Sequence, residues 1–219
     1  MFNEIICGIS FIKSGNCIKT IEEDSERKHV EKIPIFYKKL KDEIGFNNSE
    51  ISAIAVSIGP GSFTGLRIGL SFAKGLRANE SLRRLALFSN RIDNDDLGII
   101  LDGLQAHPSL LWLDLANNLI NAGGVADLAQ WLDGQSHLHT LYLGQNRLRD
   151  QGVRQLAHSL KNHEQLQVLG LSHNTIGNSG ALALAAAVGD HKSLKQLAVD
   201  NNKIGPSGMA GLGQALASN

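Results

Sequence analysis

The chain has 219 residues, 42% of them hydrophobic and 19% charged, with 21 basic and 21 acidic side chains and no formal net charge. That balance gives no reason from charge alone to expect a nucleic-acid surface, and there is no apolar run of about 18 residues to cross a membrane. The two cysteines, Cys7 and Cys17, are too few for a small disulfide-built secreted fold; they face each other across a hairpin or stay reduced inside the cell.

In chain order, Met1-Phe2-Asn3-Glu4 lacks the basic region of a signal peptide, so a cytoplasmic protein is expected. Residues 5–12 and 17–21 are apolar, β-branched runs around the turn Lys13-Ser14-Gly15-Asn16, which predicts a hairpin. Residues 25–45 are charged, with Val30, Ile33, Phe36, Tyr37, Leu40 and Ile44 at helical spacing and Gly45 as a stop. Pro34 lies inside that run and fits best a helix that begins near it. Residues 51–58 read as a buried strand. The turn Gly59-Pro60-Gly61-Ser62-Phe63-Thr64-Gly65 follows, then a helical stretch over 66–76.

From there the chain repeats itself. Leu82, Leu110, Leu138, Leu166 and Leu194 are separated by one constant step, as are Leu85, Leu113, Leu141, Leu169 and Leu197. The same step links Leu87, Leu115, Leu143, Leu171 and Val199, and it links Asn90, Asn118, Asn146, Asn174 and Asn202. A fixed 28-residue period marks a solenoid. Within each unit the alternation at positions such as Leu113 and Leu115 gives a short strand with one buried face. The Asn sits at the following turn, where its amide can satisfy backbone groups that no strand partner reaches. Leu97, Ile100, Leu101 and Leu104 then form one helical stripe, repeated as far as Met209, Leu212, Gly213 and Leu216.

The pattern L-x-x-L-x-L-x-x-N-x-[IL] over residues 78–219 resembles the ribonuclease-inhibitor-like leucine-rich repeats. That resemblance implies a curved α/β solenoid of five βα units, parallel strands concave and helices convex. Upstream, Ala53-Ile54-Ala55-Val56-Ser57-Ile58-Gly59-Pro60-Gly61-Ser62-Phe63-Thr64-Gly65-Leu66-Arg67 with Ala73-Lys74-Gly75-Leu76 resembles the YeaZ/TsaB proteins. His29-Val30-Glu31-Lys32-Ile33 and Cys7-Gly8-Ile9-Ser10-Phe11 add to the likeness, which covers residues 4–77. Those proteins are noncatalytic partners in forming threonylcarbamoyladenosine on tRNA. Family members open with a further strand and continue into a second lobe. Residues 1–77 therefore read as a truncated actin-like α/β piece whose hairpin pairs directly with residues 51–58 or borrows a strand from another molecule. The two resemblances meet as in a fusion. Phe72, Ala73 and Leu76 fall one repeat length before Ile100, Leu101 and Leu104, so the segment is expected to cap the array.

Candidate sites follow. The outward strand positions supply a partner-binding set of Arg84, Phe88, Trp112, Asp114, Tyr142, His173 and Asp200 on the concave face. Three of the four aromatics in the repeats fall there, the type favoured in interaction hot spots. Gly59, Gly61, Ser62, Thr64 and Gly65 form a candidate anion-binding loop, although tight-turn geometry explains the glycines and the P-loop pattern is not met. Seven of the eight histidines lie beyond residue 100 without metal-ligand spacing and read as solvated. No catalytic constellation, cofactor or metal site is found.

The expected function is a noncatalytic protein-interaction module binding through its concave face, with no direct nucleic-acid or membrane contact. The alternative is a partner subunit in tRNA threonylcarbamoyladenosine modification acting through the N-terminal segment. The resemblance there also implies homodimerisation or partner docking through helices 29–45 and 65–77.

Overall fold

The computed structural model describes residues 6–13, 16–24, 29–55, 79–105, 107–189 and 191–217. The glycine loop 59–65, helix 65–77 and the Phe72, Ala73 and Leu76 stripe lie outside the described residues.

Strands β1 (Ile6–Lys13) and β2 (Asn16–Asp24) form the antiparallel hairpin. Its register sets Cys7 opposite Glu23 and Cys17 opposite Ile12, so the cysteines are not cross-strand partners, and Cys17 is a free, exposed thiol. Helix α1 (His29–Ile44) lies against this hairpin. Beyond its end, Phe46 stacks on Phe11 at 4.6 Å and takes the edge of Tyr37 at 5.8 Å, while Lys19 pairs with Glu43 at 3.1 Å. The helix starts at His29, ahead of Pro34 and not at it, so Pro34 falls in the second turn, where it offers no N–H to the helical ladder. It stops at Gly45, whose φ of +76° is the left-handed closing conformation that glycine adopts without strain, and the Gly45 N–H returns to the Lys41 carbonyl at 2.8 Å.

Among the described residues the hairpin does not pair with the strand that follows. Strand β3 (Ala53–Ala55) instead forms the edge of the repeat sheet, parallel to β4 (Arg84–Ala86). A short strand whose neighbour offers a free row of carbonyls and N–H groups satisfies its backbone there as well as on a hairpin. The units continue as α2 (Asn94–Gly103), β5 (Trp112–Asp114), α3 (Ala122–Asp133), β6 (Thr140–Tyr142) and α4 (Arg149–Leu160). They end with β7 (Val168–Gly170), α5 (Asn178–Val188), β8 (Gln196–Ala198) and α6 (Pro206–Ala217). The six strands stack in chain order, β3 to β8, every pair parallel, with helices on the other layer.

The repeat step is a register. Leu85, Leu113, Leu141, Leu169 and Leu197 are direct neighbours across five strands. The first four, with Leu82, Leu110, Leu138 and Leu166 and the buried helix residues, make one continuous core, against which the partly buried Leu197 packs. The Asn row seals the turns. The Asn118 amide donates to the Leu87 carbonyl of the preceding unit at 3.0 Å and to the Leu115 carbonyl of its own at 2.9 Å, while its oxygen accepts from the Asn90 and Ile92 N–H groups, both at 3.0 Å. Asn146, Asn174 and Asn202 repeat the two amide bonds to carbonyls of the preceding unit and of their own. The residue before each Asn, Ser89, Asn117, Gln145, His173 and Asn201, has φ between 53° and 60°, a left-handed turn that brings the amide over the ladder.

Two expectations are corrected here. Met209 and Leu216 are exposed and only Leu212 of the last stripe is buried, because no helix stacks beyond α6 among the described residues. His163 is buried rather than solvated, as are His107 and His191. These three, with Asn79 and Gln135, form a second buried polar row, one member per repeat, each ahead of the next strand. Among the described residues no helix is long and apolar enough to cross a membrane.

Candidate functional site

The parallel register sorts the outward side chains into rows. Arg84, Trp112, Thr140, Val168 and Gln196 make one row; Ala86, Asp114, Tyr142, Gly170 and Ala198 make the next. Phe88, Ala116, Gly144, Ser172 and Asp200 follow just past the strand ends, where bonds such as Asn117 N–H to the Gly144 carbonyl at 2.8 Å keep the strands aligned.

A linked patch crosses these rows. The Arg84 guanidinium sits 4.7 Å above the Trp112 ring, and Trp112 meets Tyr142 edge to face with centroids 5.8 Å apart. The Tyr142 ring then lies over Gly170: a Cβ added there would come within 2.6 Å of its Cδ1. The glycine thus creates the seat on which the aromatic rests. Beside the ring is a depression of about 290 Å³ lined by Asp114, Ala116, Tyr142, Gly144, Gly170, Ser172 and Ala198. Its floor is made of residues with little or no side chain, so the backbone of four strands is within reach of an occupant.

Both carboxylates of the candidate set stand on this face. Asp114 Oδ1 accepts from the Ala116 N–H at 2.9 Å, yet burial pushes its carboxyl above the ordinary range, with that bond as a smaller opposing effect. Asp200 is exposed. Ser172 Oγ donates to its Oδ1 and Asn201 Nδ2 to its Oδ2 at 2.8 Å, and the serine bond above all holds this carboxyl below the ordinary range. His173, also exposed, favours the ionised form of Asp200 through its charge.

The structure therefore brings Arg84, Trp112, Tyr142 and Asp114 together and sets Asp200 beside Ser172, which also lines the depression. Phe88 is exposed at the opposite end of its row and joins neither group. The fourth aromatic, Trp131, is buried and donates its indole N–H to the Leu104 carbonyl at 3.3 Å between α2 and α3. The floor residues Ala116, Gly144, Gly170 and Ala198 are outward strand positions on the same face that the expected contact set leaves out. The available signal was their size, since four small side chains at outward positions leave a hollow. Among the described residues no cluster of His, Cys, Asp or Glu could hold a metal ion.

Comparison with known proteins divides the chain in two. A leucine-rich-repeat family profile matches residues 134–157, 164–185 and 190–213. The units are leucine-rich repeats. The solved tropomodulin C-terminal domain of Caenorhabditis elegans shares the fold, with a TM-score of 0.59 and 15% identity over 68% of this chain and 92% of that one. A profile for tRNA N6-adenosine threonylcarbamoyltransferase matches residues 20–81. The transferase of Fervidobacterium nodosum is 39% identical over 56 residues, 26% of this chain and 17% of that protein. The transferase of Clostridium botulinum strain Hall is 41% identical over 56 residues, 26% of this chain and 16% of that protein. The chain thus spans about a sixth of the curated relatives it matches. The leucine-rich repeats carry every member of the concave patch.

Proposed function

We propose that this protein is a noncatalytic interaction module whose leucine-rich repeats bind a protein partner on the concave face. The observation that carries this reading is the Arg84–Trp112–Tyr142 stack beside a hollow floored by small residues. Aromatic and arginine anchors next to a pocket are where protein interfaces concentrate their energy. The seats of these side chains are rigid, being strands fixed by leucines on one side and Asn-sealed turns at the end. The test is retention of a partner from cell extract on the immobilised full chain, compared with a Trp112→Ala, Tyr142→Ala double variant. A protein held by the first and released by the second supports the reading; equal retention by both overturns it.

The match over residues 20–81 favours a second reading, in which the N-terminal segment takes part in threonylcarbamoyladenosine formation on tRNA. It ranks lower because the match reaches only a sixth of the transferases and because β3 is engaged with the repeat sheet. Docking through helices 29–45 and 65–77, to a second copy or to another subunit, belongs to this reading. Added to a reaction lacking the transferase or its noncatalytic partner, the chain is expected to leave the tRNA unmodified. Modified tRNA would reverse the ranking.

A further inference from the structure

We propose that the hollow on the concave face receives a cationic side chain, the ammonium of a lysine or the guanidinium of an arginine presented by the partner protein. This deepens the reading above and rests on it. The hollow, at about 290 Å³, lies at the bottom of the range for ligand pockets, which suits one long side chain better than a free small molecule.

Its chemistry selects the charge. Across β5 to β8 the outward positions are Trp112, Asp114, Ala116, Thr140, Tyr142, Gly144, Val168, Gly170, Ser172, Gln196, Ala198 and Asp200, two carboxylates and no lysine or arginine. Arg84, on β4, stands at the far side of Trp112 and lies over that ring. Asp114 lines the hollow with one oxygen tied to the Ala116 N–H, and its other oxygen accepts no hydrogen bond among the described residues. That oxygen is the natural acceptor for a donor coming from outside the chain. Asp200 stands beyond Ser172, oriented by the serine and Asn201, and its charge extends the same field. Tyr142 lines the hollow with its aromatic ring, a surface along which a lysine or arginine stem can lie.

Other occupants fit worse. An apolar side chain would cover Asp114 without a counter-charge, and an anion would meet the Asp114 carboxylate, the basic groups His173 and Arg84 standing outside the lining. A cation relieves the desolvation that raises the Asp114 carboxyl, so the occupant and the site stabilise each other's charged forms.

The test uses the full chain and a library of random twelve-residue peptides displayed on phage. Selected peptides are expected to share a lysine or arginine at a fixed place. Replacing that residue by norleucine or citrulline, which removes the charge and leaves the protein untouched, should weaken binding at least about tenfold, or about 1.4 kcal/mol. Asp114→Asn should weaken the parent peptide comparably and the uncharged peptide little. Peptides that bind through Trp112 and Tyr142 but carry no required cation, or that are indifferent to Asp114→Asn, overturn the proposal and leave concave-face binding standing. Peptides insensitive to Trp112→Ala and Tyr142→Ala as well, or a library that yields no binder, overturn both.

Discussion

Asn146→Ala is the most direct probe of how the array holds together. Asn146 is buried in the central unit. Its amide N–H groups reach the Leu115 carbonyl at 2.9 Å, the Leu143 carbonyl at 3.0 Å and the Gly144 carbonyl at 3.3 Å, and its oxygen accepts the Ile120 N–H at 3.1 Å. Truncation orphans one buried N–H and two well-made carbonyl bonds in two adjacent units. An unsatisfied buried group costs about 1–3 kcal/mol, carbonyls less because a second lone pair remains. A water entering the vacated space recovers part of this. The expected cost is about 3 kcal/mol. The same change at Asn202 removes bonds of similar length, to the Leu171, Val199 and Asp200 carbonyls and from the Asn174 and Ile176 N–H groups. That residue is only partly buried, so solvent replaces the lost partners and the expected cost is about 1 kcal/mol. Urea unfolding of the two variants and the parent reads the difference as a shift in midpoint at constant slope. Equal costs, or a loss at Asn146 below about 1 kcal/mol, would refute the view that the row works by sealing one unit to the next.

The remaining predictions concern the core, the buried histidines and the site. Leu141→Ala removes a fully buried side chain in register with Leu113 and Leu169 and should cost about 2–5 kcal/mol by denaturant unfolding. Burial lowers the pKa of His107, His163 and His191 below the ordinary 6.5, and the Nδ1 atoms of His107 and His191 accept from the Ser109 and Leu194 N–H groups, a role open only to neutral imidazole. The unfolded chain then binds more protons than the folded one between the lowered pKa values and 6.5. Stability should be full above that window and fall with pH through it. The thermal midpoint of His163→Asn should fall less on acidification than the parent's, and identical slopes would refute this. Gly170→Ala should displace the Tyr142 ring and remove partner binding while shifting the thermal midpoint by less than Leu141→Ala does.

The solenoid was legible because identical positions in a repeat see identical surroundings, so Leu85, Leu113, Leu141 and Leu169 had to be the same residue type. The Asn row was legible for the same reason, since only a side chain that donates and accepts at once can bridge two turns. The second polar row was hidden by its own variety. Asn79, His107, Gln135, His163 and His191 keep the repeat step but not the residue type, and a polar residue in a helix-to-strand turn ordinarily reads as solvent-facing. The aromatic and acidic members of the site could be placed from strand alternation alone. That Tyr142 lies down over Gly170, opening a hollow beside Asp114, depends on a neighbour in the next repeat and on packing no local pattern records.

The two ends of the array show what the junction with the N-terminal segment does. The Ser52 carbonyl accepts from the Arg83 and Arg84 N–H groups at 2.8 and 3.1 Å, as the Arg83 carbonyl accepts from Leu111 and Trp112 at 2.9 and 3.0 Å. Yet the step from Ala53 to its partner Arg84 is three positions longer than the step from Arg84 to its partner Trp112. Asn79 still stands one regular repeat before His107 and is buried like it, reaching back to the Asn48 carbonyl at 3.1 Å, so the extra positions fall between Ala55 and Asn79. The segment that resembles the transferases therefore supplies a strand and a buried polar residue in repeat geometry, although its sequence has no leucine register of its own. At the opposite end β8 has no further partner among the described residues, and Leu194 and Leu197 are only partly buried where their equivalents are closed. Stacked repeats depend on their neighbours for burial. The first repeat has a strand neighbour in β3, and Leu82 and Leu85 are buried at that end.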